Sequence, residues 1–226
     1  MLDRFEQDPQ ALGERVRRNC VEAGFTGEDL ETAVGMAVQS LERNAELLPV
    51  EAVDDPIRPG ETTAIGDLTV DPVHLPGHQA DHLSYSTEIG GETVLLAGDM
   101  GIQPFRPVVL HDGLDDGYRD AFDAFYAALD RMADLGIDRV YPGHGPVHDG
   151  LESIVDRDRS SLDNRLDRVV GLVEDGYEVA PAVADALAGD HDVNYLIPET
   201  MSALAHLEAT GRLGTERTDG VRHYVA

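Results

Sequence analysis

Three stretches decide the fold: HLPGHQADH at 74–82, LLAGDM at 95–100 and VYPGHGP at 140–146. In each, an apolar strand runs into a glycine turn that carries one polar residue: His78, Asp99 or His144. Loops at strand ends are where a sheet presents functional side chains, and imidazole and carboxylate groups suit zinc, iron and manganese. One such residue alone would be read as an ordinary loop residue. Three such residues, each beside a glycine in a turn after a strand, predict a metal site.

The rest of the chain predicts helices on both sides of this region. Residues 1–50 carry apolar residues at helical spacing, and residues 51–150 alternate short strands with one amphipathic helix. Residues 151–226 predict helices followed by a hairpin, the order of a winged helix-turn-helix. The predicted elements of this last part are the helices Leu151–Glu174, Val183–Leu187 and Thr200–Thr210 and the strands Leu213–Glu216 and Val221–Tyr224. We therefore expect an α+β domain over 1–150 and a winged-helix-like region over 151–226.

The composition is strongly acidic. The 226 residues carry 44 acidic and 17 basic side chains, a net charge of −27, and all the basic ones are arginine. Acidic residues spread along the whole chain predict a surface adapted to high salt, where the Debye length is about 3 Å at 1 M. An apolar run of membrane-spanning length and a signal-peptide pattern are both missing, which predicts a cytoplasmic protein without membrane partners. The single cysteine, Cys20, lies on an apolar helix face and predicts a buried thiol.

The three motifs together resemble the metallo-β-lactamase superfamily. PGH followed by a second histidine four residues on, a strand ending in Gly-Asp, and the run YPGHGP are similar to its metal motifs. The C-terminal part, including YLIPETMSALAHLEATGRL at 195–213, resembles the winged-helix tail of one branch. That branch contains hydroxyacylglutathione-hydrolase-like and endoribonuclease-like enzymes. The resemblance covers about residues 57–226 and implies an αββα sandwich.

The resemblance also implies a site and a reaction. A dinuclear zinc site, or one of iron or manganese, would use His78 on the first metal, His144 on the second and Asp99 as the bridge. A metal-bound hydroxide would attack a thioester, ester or phosphodiester, so no further catalytic side chain is implied. His82 matches a position near the site that helps to hold substrate, and His74 is interpreted as structural.

One family motif is missing from the sequence. HxHxDH, which would supply four more ligands, does not occur, and no histidine precedes His74. Each of two metals would then keep one histidine and the shared Asp99, fewer than the three protein ligands of catalytic zinc. The sequence therefore predicts an N-terminally incomplete sandwich with an exposed sheet edge.

Three explanations stay open at this point. The chain is a shortened metallohydrolase with impaired activity, or it holds one metal in an open site completed by water or by a second chain in a homodimer. The third is a non-catalytic binding or regulatory module that uses the winged-helix region. Small thioesters or esters and single-stranded RNA are the substrates that the resemblance allows. DNA binding is not expected, because residues 199–211 carry two acids and no lysine or arginine.

Overall fold

A computed structural model describes residues 6–189 and 196–226, and these fall into two compact units. The helical unit comprises the described parts of Met1–Asp55, Asp112–Asp120 and Leu166–Ala226. The sheet unit comprises Pro56–His111 and Ala121–Arg165. Both units draw residues from either side of position 150, and the division into domains 1–150 and 151–226 stays a prediction.

The helical unit begins with two packed helices, α1 (Pro9–Ala23) and α2 (Gly27–Leu47). Asp8 caps α1 by accepting a hydrogen bond from the Gln10 amide at 3.0 Å. Short 3-10 turns lie at Val50–Ala52 and Asp116–Asp120. The C-terminal elements are the helices α5 (Ala180–Ala188) and α6 (Leu196–Ala209) and the antiparallel strands β6 (Gly214–Thr218) and β7 (Val221–Val225).

The sheet unit contains five strands in sequence order: β1 (Thr63–Ile65), β2 (Leu68–His74), β3 (Leu83–Ile89), β4 (Glu92–Gly98) and β5 (Arg139–Pro142). Strands β1 to β4 pair antiparallel, whereas β4 and β5 pair parallel. A parallel pair needs a crossover, and helix α3 (Ala121–Ala133) lies in the connection between β4 and β5. Helix α4 (Leu151–Glu174) follows β5, and its residues up to Arg165 belong to this unit.

Buried apolar residues lie on both faces of the sheet. Leu95 and Ala97 of β4 and Val140 of β5 point to one face and are fully buried. On the opposite face Val94 is fully buried, whereas Leu96 is half-buried and Tyr141 is 37% exposed. The fully buried apolar residues of α3 and α4 include Phe122, Phe125, Leu129 and Leu162.

Strand direction brings the three motif loops to one edge of the sheet. Strand β3 runs antiparallel to both β2 and β4, so β2 and β4 run in the same direction, and β5 is parallel to β4. The chain therefore leaves β2 at His74, β4 at Gly98 and β5 at Pro142 on the same side. The predicted α+β class is confirmed, and each motif lies directly after the end of a strand.

The C-terminal helices begin earlier than the sequence predicts. Helix α5 starts at Ala180 rather than Val183, and α6 starts at Leu196 rather than Thr200. Each helix carries a proline in its first turn, Pro181 and Pro198, where the missing N–H has no intrahelical acceptor. The predicted hairpin is present, with Asp219 and Gly220 both at positive φ in its turn. A winged-helix identity for this region stays a prediction.

Membrane-crossing helices are absent from the part of the chain that the structure describes, since none there is both long and apolar enough.

Candidate metal centre

His78 lies on the turn that follows β2. The turn approaches α3 closely, because a Cβ on Gly77 would come within 2.5 Å of the Phe125 ring. The imidazole Nδ1 of His78 donates a hydrogen bond to the Val108 carbonyl oxygen at 2.9 Å, so in the neutral ring the lone pair lies on Nε2. That Nε2 lies 3.5 Å from Oδ2 of Asp99, and the His78 side chain is 17% exposed. The hydrogen bond to Val108 thus selects the tautomer and ring orientation of a metal-ligating histidine.

Asp99 lies at the centre of the arrangement. It follows Gly98, where the β4–β5 register shifts and the backbone adopts φ 58°, a conformation that favours glycine. Its Oδ2 faces His78, and its Oδ1 lies 3.4 Å from Nε2 of His144. The carboxylate is 39% exposed and the His144 side chain 67% exposed. The predicted ligands His78, Asp99 and His144 are therefore brought together, with one imidazole beside each carboxylate oxygen.

The loop after β5 approaches the loop after β4 through backbone alone. The Gly143 amide donates a hydrogen bond to the Gly98 carbonyl at 2.6 Å. A Cβ on Gly143 would lie 2.9 Å from that carbonyl oxygen and 3.2 Å from Oδ1 of Asp99. Only a residue without a side chain leaves room for both contacts. The glycine before His144 is therefore required by the close approach to Asp99.

His82 supports Asp99 from the backbone side. Its Nε2 accepts a hydrogen bond from the Asp99 amide at 3.1 Å. Because Nε2 is the acceptor, the proton resides on Nδ1, which is buried and lacks a hydrogen-bond partner among the described residues. Burial, followed by the charge of neighbouring His78, lowers the pKa of His82 below its usual 6.5. The predicted role of His82 in holding substrate stays a prediction, and the contact that the structure shows is to Asp99.

Most of the other histidines contact the backbone or a side chain of the protein away from Asp99. His74 donates from Nε2 to the Ala80 carbonyl at 2.7 Å and braces the turn that carries His78. His111 adopts φ 48°, and its amide lies within hydrogen-bond distance of the carbonyls of Gly77 and His78. His223 lies 3.2 Å from Glu178 in the helical unit, and His191 falls outside the described residues. The carbonyl of Val108 and the backbone of His111 were not identified from sequence, because neither position carries a local motif.

The sequence matches a known family over most of this region. The family described as the Metallo-beta-lactamase superfamily matches residues 15–144. This chain belongs to that superfamily. Residue 144, the last one matched, is His144 of the centre.

Two curated relatives each match about half of the chain. The Beta-lactamase-like protein 2 homolog of Caenorhabditis elegans is 30% identical over 116 residues, 51% of this chain and 33% of that protein. The atrochrysone carboxyl ACP thioesterase of Aspergillus fumigatus is 30% identical over 115 residues, 51% of this chain and 24% of that protein. The chain thus matches only about a quarter to a third of the length of these two relatives.

A solved structure extends the likeness to the whole fold. A metallo-beta-lactamase family protein from Thermus thermophilus superposes with a TM-score of 0.76. The alignment covers 98% of this chain and 67% of the other, at 24% sequence identity. This likeness shows the fold, and it agrees with the sheet and helices described above.

The three donor side chains are of the types that bind zinc, iron or manganese, but they are too few to complete two metal sites. Nitrogen–oxygen distances of 3.4–3.5 Å are too long for a strong histidine–carboxylate hydrogen bond. They equal the separation of about 3.4 Å between two ligands on one tetrahedral metal with bonds of about 2.1 Å. Within the described residues, however, no group of three or more His, Cys, Asp or Glu side chains already surrounds a common point. The centre therefore offers two nitrogen–oxygen pairs, and further ligands would have to complete either metal.

Proposed function

We propose that this metallo-beta-lactamase superfamily chain supplies part or all of a metal-dependent hydrolase centre that acts on thioesters or esters. The observation that carries the proposal is the placement of Asp99 between the Nε2 atoms of His78 and His144 at 3.5 and 3.4 Å. The hydrogen bond from His78 Nδ1 to the Val108 carbonyl supports it, because it presents the lone pair of Nε2 to Asp99.

Each side chain has a distinct role in this proposal. His78 and Oδ2 of Asp99 would hold one metal ion, and His144 and Oδ1 of Asp99 would hold a second. The metal, which we take to be zinc with iron and manganese as the other choices, would activate water and polarise the scissile carbonyl. His82 keeps the Asp99 backbone in place through its Nε2, so it acts through Asp99.

Exposure at the centre supports access for a substrate. His144 is 67% exposed and Asp99 39%, whereas His78 is largely buried behind them. A substrate would therefore approach from the His144 side.

The net charge of −27 opposes a polyanionic substrate such as RNA, although molar salt would weaken that repulsion. A thioester carries no such penalty, and one relative that is 30% identical over 115 residues is named as a thioesterase.

The test combines metal content with hydrolysis. The protein is purified in molar KCl without chelator, and its zinc, iron and manganese are measured by elemental analysis. Hydrolysis of an acyl thioester of N-acetylcysteamine is then followed by chromogenic detection of the free thiol. Cys20 gives little background, because burial raises its pKa to about 12.

Two variants make this test specific. His144→Ala should lose bound metal and hydrolysis together, and a chelator should abolish hydrolysis by the wild type. His223→Ala, which alters an exposed histidine beside Glu178, should retain both. Hydrolysis that survives either the chelator or the His144→Ala change would refute the proposal.

A single open metal site is the second candidate. It is favoured by the shortage of donors, since two histidines and one carboxylate suffice for one weakly held ion but not for two complete sites. About one metal per chain would support this reading, and about two would require ligands from elsewhere, such as a second copy in a homodimer. No metal and no hydrolysis would leave the non-catalytic module.

A further inference from the structure

His148 links the two loops that carry Asp99 and His144. Its Nε2 donates a hydrogen bond to the Gly101 carbonyl at 2.8 Å, and its Nδ1 accepts one from the Gly150 amide at 3.3 Å. The residue is only 7% exposed, so both ring nitrogens are satisfied within the protein. No local motif distinguishes His148 in the sequence, since it lies outside the three stretches that predict the site.

The backbone of His148 closes the loop that presents His144. Its amide and carbonyl exchange hydrogen bonds with Val140 of β5 at 3.2 and 2.7 Å. The chain therefore leaves β5 after Pro142, passes through His144 and returns at His148 beside Val140 of the same strand. Because the base of this loop is fixed, the imidazole of His148 extends from a rigid position to the neighbouring loop.

Two hydrogen bonds therefore bracket the pair Asp99 and His144. The first joins the Gly143 amide to the Gly98 carbonyl at 2.6 Å, one residue before each ligand. The second joins His148 to the Gly101 carbonyl, beyond each ligand in the sequence. With one link on either side, the two loops are prevented from shifting relative to each other. The distance of 3.4 Å between Asp99 and His144 then depends on both links.

We propose that His148 is a positioning residue that sets the spacing of Asp99 and His144 by tying the His144 loop to the Gly101 carbonyl. The proposal rests on the proposed function for its consequence in metal affinity, but the link itself exists without metal. Outer hydrogen bonds of this kind typically change metal affinity about 10- to 100-fold when they are removed.

Two substitutions separate the two hydrogen bonds of the ring. His148→Gln keeps an N–H donor at the reach of Nε2 and should retain the bond to Gly101. His148→Asn is shorter, so it can accept from Gly150 but cannot reach Gly101. Thr87→Val is the stability control, because it removes a largely buried hydrogen bond to the Thr69 carbonyl in the same unit, away from the motif loops.

The first readout is amide hydrogen exchange of the chelator-treated protein. In His148→Asn, we expect segments 98–103 and 143–150 to exchange faster together, whereas His148→Gln and Thr87→Val leave both segments at the wild-type rate. Unchanged exchange in His148→Asn, or faster exchange in only one of the two loops, would overturn the proposal.

The second readout is zinc affinity, measured by competition with a chromophoric chelator. We expect His148→Asn to bind zinc about 10-fold more weakly or worse, with rescue in His148→Gln and no change in Thr87→Val. Wild-type affinity in His148→Asn would overturn the positioning role even if the exchange had changed. Failure of the wild type to bind zinc would instead refute the proposed function, and the exchange data would still decide whether His148 ties the loops.

Discussion

The ion pairs of the helical unit and the Asp99 carboxylate at the edge of the sheet differ in how closely their partners approach. In the helical unit, Arg15 contacts both carboxylate oxygens of Asp115 at 2.7 and 2.8 Å, and Arg222 contacts Glu208 at 2.6 Å. At the edge of the sheet, Asp99 has no contact to its two histidines shorter than 3.4 Å. In these close pairs, the carboxylates use their hydrogen-bonding capacity for contacts within the fold. The carboxylate of Asp99 keeps much of that capacity unused, as the proposed metal site would require.

The largest effect is expected at Asp99. Asp99→Ala removes the oxygen donors shared by His78 and His144, so metal content should fall to background and hydrolysis should be lost with it. The apo protein should unfold at nearly the wild-type temperature, because no short hydrogen bond to the carboxylate is removed. Elemental analysis and a thermal melt in molar KCl measure the two outcomes. A large fall in melting temperature would show that Asp99 is a structural charge after all.

A substitution in the helical unit is expected to lower stability without changing metal binding. Arg222 is 12% exposed in its side chain and lies between Glu208 and Glu22. Arg222→Met should cost about 1–3 kcal/mol of unfolding free energy, because it leaves the half-buried Glu208 carboxylate without its arginine partner. Urea unfolding in KCl provides the measurement, with Arg217→Met on the same hairpin as the exposed control. Metal binding should not change, and a loss of metal in Arg222→Met would remove the contrast between the two units.

Acid should weaken the edge of the sheet before it weakens the close ion pairs. Burial lowers the pKa of His82, so its stabilising contribution is present above pH 6.5 and is lost as the pH falls through the lowered folded-state pKa. Protonation removes the lone pair that accepts from the Asp99 amide. The protection of amides around residue 99 in the apo protein, measured relative to the intrinsic exchange rate at each pH, should therefore fall in acid before the protection around Arg15 and Asp115 falls.

His82→Gln serves as the control for this pH effect, since its side-chain oxygen can accept the same hydrogen bond without titrating. The acid response of residue 99 should disappear in this variant. If the response persisted, another group than His82 would be responsible.

The smallest effect is expected at the helix surface. Arg17 on α1 contacts both oxygens of Glu31 on α2 at 2.6 and 2.7 Å, but both side chains are largely exposed. Arg17→Gln should therefore be hard to distinguish from wild type in thermal unfolding at molar KCl, where screening is strong. A clear loss at high salt would mean that short distance alone, without burial, makes a stabilising pair in this protein.

The sequence predicted the strands and the site loops better than the contacts that hold them. His78, Asp99 and His144 were identified because each follows a strand and a glycine, a signal that lies within a few residues. The carbonyl of Val108 and the reach of His148 to Gly101 depend on distant backbone, and no local pattern encodes them. The predicted starts of α5 and α6 were too late, and the residues missed in each helix include a first-turn proline, which does not interrupt a helix there.

The parallel pairing of β4 and β5 also has a consequence for folding kinetics. Asp99 and His144 follow strands that are separated in the chain by α3, so they cannot meet until the crossover has formed and β5 has docked beside β4. Non-local parallel pairing is among the slower events in folding. The centre should therefore appear in the last refolding phase, and a metal that binds only there would slow unfolding more than it speeds folding.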